Sequence, residues 1–140
     1  MTFPRRPAQP EPDPLLPLFL EVLRDRGHVS FVLADLGNRC GMVELDKSVI
    51  LLDTSNTVAE MRSTICHELL HLHCDECPEP EIEEMTAGIL VPLHDALAAA
   101  AEAGADIAQV ADRLGVDEQL VRARIRSIPQ QQQGYADGVG

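Results

Sequence analysis

Aromatic side chains are nearly missing from this chain of 140 residues: it has no tryptophan, one tyrosine and three phenylalanines. A core must therefore be assembled from Leu, Ile, Val, Ala and Met, which the 45% hydrophobic content can supply. Positive charge is scarce too. Eleven basic residues face 23 acidic ones, leaving a formal charge of -12, and Lys47 is the sole lysine. A surface that negative repels phosphate, which argues against nucleic-acid binding by the whole domain and against docking on anionic lipid. Long apolar runs are absent: nothing approaches the roughly 20 residues that span a bilayer, and the stretch 15–23 is interrupted by Pro17 and Glu21. A twin arginine, Arg5-Arg6, precedes an apolar segment too short and proline-split for an export signal, so a cytoplasmic location is expected. The four cysteines, Cys40, Cys66, Cys74 and Cys77, are then expected as thiols, with metal ligation as the alternative. For Cys40 and Cys66 the expectation is a small buried or half-buried thiol.

The length suits one compact domain. Residues 1–14 hold five prolines and read as an extended, disordered tail, and the glutamine- and glycine-rich segment 129–140 as another. Between them, 15–128 should fold. Apolar spacing over 18–26 ahead of Gly27 predicts a short helix. Three runs rich in Val, Ile and Leu follow (28–36, 41–46 and 49–53), separated by turn residues, and predict a small antiparallel sheet of about three strands. From Asn56 the period changes, with Val58, Met61, Ile65, Leu69 and Leu72 recurring as on one helix face. After a break at 74–78, a second helix is marked by Ile82, Met85, Ile89 and Leu93. Helices over 96–103, over 107–114 (capped by Asp106 and closed by Gly115) and over 117–128 complete an α+β fold.

The chemistry lies at residues 66–74, Cys-His-Glu-Leu-Leu-His-Leu-His-Cys. His67 and His71 are four positions apart, a little over one helical turn, so both imidazoles share a face and can reach one metal ion. Glu68 leans beside the same ion. This is the His-Glu-x-x-His arrangement of zinc hydrolases: Zn²⁺ takes the two imidazoles and a third protein ligand and leaves a position for water, and Glu68 serves as general base and acid. The opposite face of that helix looks like core, which favours a real site over surface histidines. Acidic candidates for the third ligand are Asp75, Glu76, Glu79, Glu81, Glu83 and Glu84. In a helical hairpin the ligand should lie in the first turn or two of the second helix. Glu79 and Glu83 share a face there, one as ligand and the other accepting a histidine N–H. Glu76, Glu81 and Glu84 read as a solvated acidic face. A rival site is His73 with Cys74 and Cys77, a lone Cys-x-x-Cys suited to a closed zinc or to redox cycling, although two thiols in a turn is the plainer reading.

The segment Arg62-Ser-Thr-Ile-Cys-His-Glu-Leu-Leu-His71, followed by Glu79-Pro-Glu-Ile-Glu-Glu-Met-Thr-Ala-Gly-Ile-Leu-Val-Pro92, resembles the ImmA/IrrE family of metallopeptidases. The likeness covers about residues 49–128. It implies a zincin-like helical core and a zinc-dependent endopeptidase in the cytoplasm that cuts a helix-turn-helix repressor. Counting back from Pro92 sets Glu79 at the family's metal-binding glutamate. Ile82 and Met85 replace the family's Ala and Phe, Gly88 is unusual, and the connection from His71 is short, which keeps Glu83 open as an alternative. An acidic surface would complement a basic DNA-binding partner.

Two other functions compete. The pair 107–114 and 117–128 has helix-turn-helix spacing and carries Arg122, Arg124 and Arg126, but alternate residues on a helix point different ways, so a packing role fits better than groove binding. A silent metal-binding regulator is the other, because peptide hydrolysis needs a group to stabilise the oxyanion. His28, His73, His94 and Tyr135 qualify by chemistry alone.

Overall fold

A computed structural model describes residues 13–101 and 107–129. Helix α1 (Leu15–Arg26) begins three residues before the apolar periodicity does. Pro17 falls within its first turn, where a missing backbone N–H has no helical partner to lose, and the Asp13 carboxylate accepts from the Leu15 amide at 3.0 Å. The helix ends where expected, with Gly27 at φ 82° donating its amide to the Leu23 carbonyl.

The three strands are β1 (Ser30–Ala34), β2 (Gly41–Glu44) and β3 (Val49–Asp53), in the order β1-β3-β2. The sheet is mixed, which corrects the all-antiparallel expectation. β2 and β3 form the antiparallel hairpin, but β1 runs parallel to β3, Ser30 facing Val49. The chain reverses once into β2 and once out of it, so β1 and β3 share a direction. β3 takes the centre, paired along both edges, and buries Ile50 and Leu52 on one face.

Helix α2 (Val58–His73) opens with a reciprocal cap: the Glu60 amide donates to Thr57 Oγ1 at 3.1 Å and the Thr57 amide to Glu60 Oε1 at 3.0 Å. It packs on α1, on the sheet and on α3 (Glu79–Leu90), which folds back against it. Cys66 is fully buried in this layer, and burial pushes its thiol up to about 12; Cys40 is exposed. Helices α4 (Leu93–Ala101), α5 (Ile107–Leu114) and α6 (Glu118–Ser127) finish the fold. The expected Asp106 cap lies outside the described residues. Buried Asp95 ties α4 to α5 through Arg113, and α6 packs on α3, α4 and α5 with Val121 fully buried. Arg124 turns inward, donating from Nε to the Val91 carbonyl at 3.0 Å. Ile50, Leu69, Ile82, Leu90, Val22, Val91 and Val121 are the largest fully buried aliphatics among the described residues, so one core joins α1, β3, α2, α3 and α6. Among the described residues no helix is long and apolar enough to cross a membrane.

Candidate metal centre

Helix α2 carries His67 and His71 on the side turned toward the start of α3. The turn between the helices is short, and a disulfide between Cys74 and Cys77 closes it. That corrects the expectation of free thiols and takes both sulfurs away from the rival site with His73. The tight turn delivers the first residue of α3, Glu79, to the two imidazoles. A carboxylate there also sits at the positive end of the helix dipole.

Glu79 Oε2 lies 3.0 Å from His67 Nε2, and Oε1 lies 2.8 Å from His71 Nε2. The two Nε2 atoms are 3.2 Å apart. A tetrahedral zinc with bonds of about 2.1 Å separates its ligand atoms by about 3.4 Å, so the triangle needs only a slight opening to admit one. Protons alone serve it poorly. Two neutral imidazoles offer at most two Nε2 protons; if both point to the carboxylate, the nitrogens are left in contact with no hydrogen bond between them. One cation inside the triangle satisfies all three atoms. His67, His71 and Glu79 are the residues that could hold a metal ion, the sole such group among the described residues.

Glu68 is 8% exposed. Burial pushes its carboxyl above the usual carboxylate range; the imidazoles of His67 and His71 work against that shift, and the Glu79 charge adds to it. A carboxyl tuned upward is suited to exchanging protons near neutrality. Glu83 is one turn further along α3, exposed, and faces the open cavity rather than the triangle. That cavity, about 510 Å³, runs from His67 and Glu68 between the residues before β2 and the first half of α6. Arg39, Cys40, Gln119, Leu120 and Ala123 line it, and sequence reasoning missed all five. Gly41 carried the one usable signal: a Cβ there would collide with the Thr64 methyl on α2, so glycine lets β2 lie close beside the site.

The histidines that qualified for oxyanion stabilisation by chemistry alone are not gathered here. His28 Nε2 lies 3.1 Å from the Lys47 carbonyl, and His94 lies 3.1 Å from Asp95. His73 is exposed at the end of α2, and Tyr135 lies outside the described residues. No curated protein matches the chain. The profile of the Peptidase_M78 family, described as an IrrE N-terminal-like domain, matches residues 28–126. That span includes the sheet, both helices of the triangle and the cavity walls; the chain belongs to this metallopeptidase family.

Proposed function

We propose that this protein is a zinc-dependent endopeptidase in which His67, His71 and Glu79 hold the ion and Glu68 moves the proton. The observation that carries the reading is the convergence of two imidazole nitrogens and a carboxylate oxygen beside a buried carboxyl, in a chain of a metallopeptidase family. Two imidazoles and one carboxylate form a donor set suited to zinc. When bound, zinc supplies Lewis acidity and makes water a stronger acid, with a pKa of about 7. Glu68 takes up the proton of the attacking water and passes it to the leaving amine, and its desolvated carboxyl favours both transfers. Glu83 stays outside the ligand set, on the cavity wall. The substrate is a polypeptide, and by family likeness a helix-turn-helix repressor in the cytoplasm, whose basic surface a partner of charge -12 would attract.

The test is Glu68→Gln. This near-isosteric change should leave one zinc per chain, measured by elemental analysis, while cleavage of the cognate repressor falls by at least about a hundredfold. Loss of metal together with activity would show that Glu68 is a ligand or a structural residue instead. Full metal and full activity would remove it from the chemistry.

A further inference from the structure

Resting on that reading, we propose that the cavity beside the site receives the substrate side chain next to the scissile bond and selects an uncharged, apolar one. At about 510 Å³ the cavity falls within the range of built ligand pockets, about 300–1,000 Å³. Its walls differ in depth. Thr64 and Thr86 are buried, Leu120 and Ala123 are half-buried, and the charged pair Arg39 and Glu83 sits exposed at the rim.

Two of the inner hydroxyls are already engaged. Thr86 Oγ1 donates to the Ile82 carbonyl at 2.8 Å, and Ser63 Oγ donates to the Ala59 carbonyl at 3.1 Å. The one ionisable group in the buried wall is Glu68, which the chemistry occupies. A charged side chain entering here would exchange its water for neutral hydroxyls and the Glu68 carboxyl, a penalty that an apolar side chain escapes. An acidic side chain also meets the Glu68 carboxyl within, while at the rim the opposite charges of Arg39 and Glu83 offset each other.

Simple hydroxamates test this on the zinc-loaded protein, because the chelating head reports the ion and the tail reports the cavity. Dissociation constants for acetohydroxamate, 4-methylpentanohydroxamate, succinic monohydroxamate and 5-aminopentanohydroxamate are measured by titration calorimetry. Burying the branched tail should tighten binding at least about tenfold over acetohydroxamate. The carboxylate- and ammonium-ended compounds should gain nothing. Ala123→Leu, which fills the cavity with a good helix former, should erase the branched-tail gain and leave acetohydroxamate within about twofold. Equal binding of the branched and methyl compounds to the wild type overturns the proposal without any variant, and so does tighter binding of either charged compound. A tail gain that survives Ala123→Leu also overturns it. Failure of the protein to take up one zinc per chain, read by elemental analysis before the titrations, refutes the metal reading, and this inference falls with it, so the two failures are told apart.

Discussion

Replacing Glu79 by alanine separates a metal ligand from a structural ion pair. The Glu79 side chain is 59% exposed, and exposed pairs contribute about 0–1 kcal/mol. The metal-free variant should therefore melt within about 4 °C of the wild type, given about 4 °C per kcal/mol for a domain of this size. With zinc the difference should be large. At a free zinc concentration of about 100 times the dissociation constant, binding stabilises the wild type by about 2.7 kcal/mol, a shift of about 10 °C. Second-shell residues of metal sites already change affinity by about 10- to 100-fold, so losing a direct ligand should weaken zinc at least about a hundredfold. At the same free zinc the variant then gains about 0.4 kcal/mol, less than about 2 °C. Thermal melts in zinc-buffered solution read both effects. A zinc-induced shift that survives intact in Glu79→Ala would refute the assignment and turn attention to Glu83. A large loss in the metal-free melt would mean that the carboxylate holds the hairpin and not an ion.

Three other expectations can be checked in the same way. Thr57→Ala should destabilise the fold by about 1 kcal/mol in urea denaturation, by removing the reciprocal cap of α2, with zinc stoichiometry unchanged. Reducing Cys74–Cys77, which closes a loop of sequence separation 3, should lower stability by up to about 2 kcal/mol on chain-entropy grounds and weaken zinc binding; a wild-type melt that ignores a thiol reductant, or an equal reductant shift in Cys74→Ser/Cys77→Ser, would contradict this. In a reducing compartment the pair would stand open. The Asp53 carboxylate accepts from Ser55 Oγ and from the Leu36 and Ser55 amides, which hold it below the usual aspartate range. Its stabilisation is present above the ordinary aspartate value and is lost as pH falls through the lowered folded value, so Asp53→Asn should flatten that acidic part of the stability profile while the wild type declines.

The helix with the two histidines was readable because one face supplies the core and another the ligands, and a period of 3.6 separates them without ambiguity. The choice between Glu79 and Glu83 was not. Both lie on one face of α3, and what decides is how sharply the chain turns at 74–78, where the Cys77 amide donates to the Cys74 carbonyl and a disulfide joins the two residues. Strand direction was hidden for a related reason: side chains alternate alike in parallel and antiparallel pairs, so the runs at 30–34 and 49–53 reveal strands but not their sense. The far wall of the cavity comes from Leu120 and Ala123, about fifty residues beyond the histidines, and no local pattern marks them. Arg124 illustrates the same limit, since its place against the Val91 carbonyl follows from how α6 docks and not from the residues around it.

X-ray absorption at the zinc edge of the purified, zinc-loaded protein tests the central claim most directly. Two imidazole shells with only oxygen and nitrogen neighbours at about 2.0–2.2 Å are expected, and they should vanish in His71→Ala. A sulfur shell at about 2.3 Å, or a spectrum that His71→Ala leaves unchanged, would place the ion elsewhere and contradict the account.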